Sequence, residues 1–414
     1  MTSVEGGALH PSPWRTVWLS PRDTIERIVA SNPRRHVLLL AALGGMSSVL
    51  SWTIDAGSRI ELVDWRMLAI IALSGSVLGV AGLYITGLIF RWCGQIMGGQ
   101  ASAGAMRAVL AWGNAPRVIG LAICLIALIA MKLAGGADAS QSASRALQIT
   151  LQVIVGALAL WSLIAMMLML GRVQRFGFWR TISSAVLAAL LLVLFALLIR
   201  TFLFQPFNIP SGAMKPAFLV GDHFFVSKFR YGYTNYSLPF SPRLFSGRIF
   251  ASEPHRGDVV VFRLPRDPAT DYVKRVVGLP GDTIQMINGV LYINGQPAKR
   301  ERIEDFVETE GGRTVSIKQW RETLPNGVSY ATLDLVDNGL YDNTSVYKVP
   351  AGHYFMLGDN RDNSTDSRTG SERGGVGTVP LENLIGPAAI IFLSIDRDKG
   401  PGVTRPERFG MVVR

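Results

Sequence analysis

Cysteine is nearly absent: among 414 residues only Cys93 and Cys124 carry a thiol, each in or beside an apolar stretch. The C-terminal half therefore has neither a structural disulfide nor a thiolate nucleophile. No His, Glu and Cys cluster has ligand spacing, so no metal and no cofactor is expected. That half also lacks a basic run with interleaved aromatics, which sets nucleic acid aside despite a pI of about 9.9. The N-terminal segment has no continuous apolar core ahead of a small-residue cleavage site, so a removable signal peptide is not expected.

What is abundant is apolar surface. At 49% hydrophobic residues and a positive mean hydropathy, the chain is too apolar for a single soluble domain. Apolar runs near residues 36–54, 67–90, 118–134, 148–170 and 182–203 predict about five membrane-spanning helices. Charge divides unequally along the chain: 16 Lys/Arg and 7 Asp/Glu precede Gln205, against 25 and 23 from there on. Basic residues cluster before the first run (Arg15, Arg22, Arg27, Arg34, Arg35), the third (Arg91, Arg107, Arg117) and the fifth (Arg172, Arg175, Arg180). These loops and the N-terminus are expected in the cytoplasm, loops 55–66 and 135–147 across the membrane, and the C-terminal half outside the cytoplasm. No intramembrane Asp/Glu pair or broken-helix repeat marks a transport pathway, leaving an anchoring or partner-binding bundle.

After Thr201 the texture changes to short β-rich runs: 222–229, 258–264, 271–278, 282–288, 290–294, 353–357 and 388–394. Asn288-Gly289 and Asn294-Gly295 suit the positive φ values of type I′ hairpin turns and bracket one short strand. Residues 298–350 are more polar and turn-rich and are expected as an inserted subdomain, with loops at 308–312 and 337–343. The expected fold class is a multi-pass α-helical membrane domain followed by a mainly-β extracytoplasmic domain. Its parts are an N-terminal segment 1–35, a four-helix membrane domain 36–181, an anchor helix 182–204 and a β-rich domain 205–414.

Two sequence blocks invite a chemical reading. Ile209-Pro210-Ser211-Gly212-Ala213-Met214 follows the last apolar run, and Lys274 lies in Asp271-Tyr272-Val273-Lys274-Arg275-Val276-Val277-Gly278. Strand alternation puts Tyr272, Lys274 and Val276 on one face and Val273, Arg275 and Val277 on the other. A serine hydroxyl attacks a peptide carbonyl only when some group takes its proton. His223, His255 and His353 have no neighbourhood resembling a triad. A neutral lysine can serve instead if removal from water lowers its pKa from about 10.4 toward 7–8. Taken alone, Lys274 reads as readily as a solvated edge lysine.

The stretch 209–214, the block Tyr272–Asp282 and the block Gly358-Asp359-Asn360-Arg361-Asp362-Asn363-Ser364-Thr365-Asp366-Ser367-Arg368 together resemble the three boxes of bacterial type I signal peptidases, Ser/Lys endopeptidases that remove signal peptides. The resemblance covers roughly residues 182–414. It implies Lys274 as general base, Ser211 and the N–H of residue 213 as oxyanion donors, Ser364 as the hydroxyl orienting the lysine, and Asp366 with Arg368 as a supporting ion pair. Ile209, Pro210, Met214, Tyr272 and Val273 become the peptide-binding residues, with Phe207 and Phe218 adding apolar surface or ordinary core packing. Signal peptides of exported preproteins and the lipid bilayer are the implied partners, and the bacterial inner membrane the implied location. Residues 15–170 resemble the Yip-type multi-helix domain in Leu19-Ser20-Pro21-Arg22-Asp23-Thr24 and Ala111-Trp112-Gly113-Asn114-Ala115-Pro116.

This chain has Ala213 where that family carries its nucleophilic serine. Three accounts stand: an introduced substitution, a natural inactive protein that binds peptides without cutting them, or attack by Ser211, placed about 6–7 Å along a local strand. Lys215-Pro216-Ala217-Phe218 also departs from the family pattern by its charge, and Gly374–Pro380 lacks the usual aromatic near the specificity pocket.

Overall fold

The computed structural model describes residues 11–55, 65–133, 141–242, 244–310, 313–396 and 403–413. The chain divides into two compact units, residues 1–195 and 196–414.

The first unit is helical, with α1 Pro13–Leu19, α2 Pro21–Ser31, α3 Val37–Asp55, α4 Trp65–Ile96, α5 Ala103–Gly113, α6 Ala115–Leu133 and α7 Gln141–Gln174. The last helix, α8 Phe178–Phe202, runs on into the second unit. Proline opens α1 and α2, where its missing N–H would be unsatisfied in any case, and the Ser102 hydroxyl caps α5 by accepting from Ala105 N. Among the described residues four stretches are long and apolar enough to cross a membrane: Leu68–Ile96, Ala103–Ala127, Ile149–Gln174 and Phe178–Phe202. The first of the five expected runs is α3, whose 19 residues reach about 28 Å at 1.5 Å per residue. Most of the two loops expected across the membrane, 55–66 and 135–147, lies outside the described residues. α3 and α4 approach through glycine: a Cβ on Gly75 would lie 2.6 Å from Met46 Cα, and one on Gly79 would lie 2.9 Å from Gly45 Cα.

The second unit is mainly β. Its strands are β1 Phe204–Asn208, β2 Asp222–Ser227, β3 Val259–Leu264, β4 Asp267–Gly278, β5 Thr283–Ile287, β6 Val290–Ile293, β7 Gln296–Pro297, β8 Lys299–Glu310, β9 Arg313–Thr323, β10 Ser329–Asp334, β11 Tyr347–Lys348, β12 His353–Leu357, β13 Val379–Pro380 and β14 Leu384–Ser394. An antiparallel seven-stranded sheet in the order β1-β2-β14-β3-β4-β12-β13 carries the core, with sheets β11-β5-β6-β7 and β10-β9-β8 beside it. Asn288 and Asn294 have φ of 48° and 53° and their following glycines 73° and 77°, as the Asn-Gly turns require.

The inserted segment differs from expectation. The loop expected at 308–312 is strand through Glu310, with 311–312 outside the described residues, and β8 and β9 form one long ribbon joined by β10. Most described residues of β8 and β9 are exposed or half-buried without a clean alternation, while β10 buries Tyr330, Thr332 and Leu333, and period-two patterning fades when neither face is consistently buried.

Candidate active site

The seven-stranded sheet places Lys274. In β4 it pairs opposite Val260 and Arg275 opposite Val259, so the pleat sends the two cations to opposite faces. Arg275, with no exposed surface, is held by Asp359 through Nε–Oδ1 (2.8 Å) and Nη2–Oδ2 (2.7 Å), and its Nη1 donates to Gly257 O. Lys274 is only 4% exposed, yet its ammonium makes no hydrogen bond or ion pair among the described residues; its Nζ lies 5.6 Å from the centroid of the Tyr272 ring. Burial pulls its pKa from the ordinary lysine value down to about 8, against the opposing pull of Asp366 and Asp359.

Facing it is the turn after β1. Ile209 and Met214 are buried in a core with Phe218, Phe224, Val226 and Val261, so the residues expected to contact peptide also anchor the turn. Phe218 belongs to that core and does not line the cleft. Residues 209–213 are not a strand: β1 ends at Asn208, Ser211 is extended, and Gly212–Met214 is a single 3₁₀ turn. The strand spacing expected between Ser211 and position 213 therefore does not apply. From the other side Asn360 holds the turn, its Nδ2 donating to Gly212 O (3.1 Å) and its N–H to Ala213 O (3.2 Å).

The third block completes the wall. A Cβ on Gly358 would lie 2.5 Å from Ser364 Cβ and 2.6 Å from Ala213 O, so only glycine lets these two meet there. Arg368 grips Asp366 at 2.9 Å through both Nε and Nη2, and Gly358 N donates to Asp366 at 3.1 Å. Burial works against the Asp366 carboxylate, but the Arg368 charge and these hydrogen bonds prevail and hold its pKa below the usual range. Ser364 is buried and its Oγ has no partner, so the hydrogen bond to Lys274 that the resemblance implies is not formed here.

A cleft of about 710 Å³ gathers these residues. Ile209, Pro210, Ser211, Ala213, Met214, Tyr272, Val273, Lys274 and Ser364 all line it; Asp366 and Arg368 stand behind. No histidine lines it. Sequence reasoning missed Tyr341, which lines the cleft from the insert, bonds Thr369 Oγ1 at 2.5 Å and lies under the Arg368 guanidinium. It also gave Asp359 and Asn360 no role, although both sit in the quoted block. Among the described residues no cluster could hold a metal.

The family described as signal peptidase, peptidase S26, matches residues 182–393, more than half of the chain. The chain belongs to the signal peptidase family. Similar members include a signal peptidase I of Rickettsia conorii, 47% identical over 48% of this chain and 75% of its own length, and one of Rickettsia typhi, 43% identical over 52% and 81%. A solved signal peptidase I from Enterococcus faecalis is 25% identical and covers 33% of this chain and 97% of its own, with a TM-score of 0.19. A Yip1 domain matches residues 15–199, so this signal peptidase carries its family domain behind a second helical one. Both matches include most of α8.

Proposed function

We propose that the chain is a membrane-bound signal peptidase I built for Ser/Lys chemistry, with the nucleophile position occupied by Ala213. The carrying observation is a buried lysine without a carboxylate partner, in one cleft with the turn that bears residue 213. With serine at 213, Lys274 would take the hydroxyl proton as the oxygen attacks the scissile carbonyl. The Ser211 hydroxyl and the N–H of residue 213 would stabilise the oxyanion. Lys274 would then protonate the leaving amine, and water would hydrolyse the acyl-enzyme. Ser364 and the Asp366–Arg368 pair would position the lysine. Alanine supplies no oxygen for the acyl bond, so as written the cleft binds an extended peptide and does not cut it. Main-chain hydrogen bonds, aided by Ile209, Pro210, Met214, Tyr272 and Val273, suffice for that binding.

The proposed substrates are signal peptides of exported preproteins. Only residues 203–212 separate α8 from position 213, which suits a substrate whose apolar helix lies in the bilayer. The Arg-rich segments before α3, between α4 and α6 and around Arg172–Arg180 favour an inner-membrane protein with a cytoplasmic N-terminus and the β unit outside. The division into N-terminal segment, helical domain, anchor helix and peptidase domain with an insert belongs to the same reading.

A second reading, a peptide-binding protein that never cleaves, rests on Ala213 itself. Cleavage of a preprotein with a small-x-small site decides between them. Ala213→Ser should gain about 10³-fold or more in rate, and Ala213→Ser/Lys274→Ala should lose it. Activity of Ala213→Ser should rise with pH through about 8, where Lys274 loses its proton. Binding without cleavage in every variant would leave the non-cleaving reading standing.

A further inference from the structure

The one charged residue on the nucleophile turn, Lys215, points to a part of the molecule remote in sequence. Its Nζ meets both carboxylate oxygens of Glu308 at 2.5 and 2.6 Å, with side chains only 11% and 19% exposed. Glu308 belongs to β8, the edge strand of the three-stranded sheet that carries the long β8–β9 ribbon. The register of that ribbon shifts between Ile303 and Phe306, a bulge that redirects the strand just before Glu308. On the turn, the Lys215 side chain lies over Gly212, whose added Cβ would be 3.1 Å from Lys215 Cε, and Lys215 N donates to Gly212 O at 3.1 Å. Asn360 already holds the carbonyls of Gly212 and Ala213 from the opposite side.

We infer that Lys215 and Glu308 are positioning residues: the β8–β9 ribbon reaches back to the nucleophile turn and, through this ion pair, sets the place of residue 213 and of its N–H donor. Neither side chain touches the reacting atoms; both act through the backbone of 212–214. A half-buried pair with both carboxylate oxygens engaged is stronger and more directional than a surface pair. Small displacements of an attacking atom or an oxyanion donor cost far more in turnover than in binding. Through Glu308 the inserted ribbon thus reaches the nucleophile turn, an inference that rests on the Ser/Lys reading for its kinetic arm.

The kinetic arm uses full-length Ala213→Ser in detergent, adding Glu308→Gln, Lys215→Met, or the exchange Lys215→Glu/Glu308→Lys. Each single change should lower kcat about 10- to 100-fold with KM within about threefold, and the exchange should recover most of the loss. Lys299→Gln, which breaks an exposed pair with Glu301 at the start of β8, away from the bulge, should leave kcat unchanged. A second arm needs no catalysis: amide exchange of the 209–218 peptide in the unmodified chain should speed about tenfold in Glu308→Gln and slow again in the exchange variant. Unchanged exchange, or a kcat indifferent to Glu308, overturns the inference. An inactive Ala213→Ser with responsive exchange breaks the proposed function and leaves the tie standing.

Discussion

In residues 1–195 helices meet through glycine, whereas in residues 196–414 strands and loops are joined through buried charge. Gly45, Gly75 and Gly79 let α3 and α4 approach to backbone contact, and the ion pair Arg172–Glu26 has side chains more than half exposed. In the β unit Arg275–Asp359, Arg361–Glu322, Arg368–Asp366 and Arg408–Asp222 are all buried pairs. Lipid gives apolar side chains no reason to leave it for one another, so helices there depend on close packing of small residues. A domain folded in water can bury a charge, but only with a partner. Set against those pairs, Lys274 departs: a buried cation left without a carboxylate, and, unlike the equally buried Lys228, whose Nζ donates to Ser237 O, without a carbonyl acceptor either.

Four substitutions test the contrast, in falling order of effect. Asp359→Ala should destabilise the β unit by about 3–5 kcal/mol, because Arg275 stays buried without its partner; urea unfolding measures it, and a loss under 1 kcal/mol would mean that buried pairing is not what holds this unit. Lys274→Met should instead stabilise the unit at pH 7, by up to about 3 kcal/mol. With a folded pKa of about 8 against an unfolded value of 10.5, the unfolded chain holds the extra proton between those values. Stability of the parent therefore rises with pH across that window, and the advantage of Lys274→Met is full below pH 8 and gone above about 10.5. Thermal unfolding at several pH values checks both signs. Gly79→Leu should cost the helical unit about 1–3 kcal/mol through overpacking against Gly45, read as a lower Tm in detergent. Arg172→Ala should leave the Tm of the helical unit unchanged, and a clear drop would bring that unit closer to the β unit's way of using charge.

Much of the molecule was readable in its residues because the signals were local. The apolar runs became helices, Asn-Gly became tight turns, and alternation in β4 sent Lys274 and Arg275 to opposite faces. What escaped was set by distant contacts. Asp359 reaches Arg275 across 84 positions and Glu308 reaches Lys215 across 93, and no sequence period encodes such pairs. The ribbon β8–β9 escaped for a different reason: neither of its faces is consistently buried, so the apolar alternation that marks a strand is missing. At position 213 the family pattern located the residue, but only the turn geometry, and not the strand first expected, gave its relation to Ser211.

Strand pairing fixes more than shape in β4. A slip of one residue against β3 would carry every side chain to the opposite face. The guanidinium, which holds its proton at any physiological pH, would then point into the cleft, and the amine would be sealed against Asp359 as an ammonium. The composition, the fold class and the number of charges would be unchanged, yet no proton acceptor would remain. The hydrogen-bond register between Val260 and Lys274 therefore acts as a chemical selector, deciding which of two adjacent basic side chains the cleft receives.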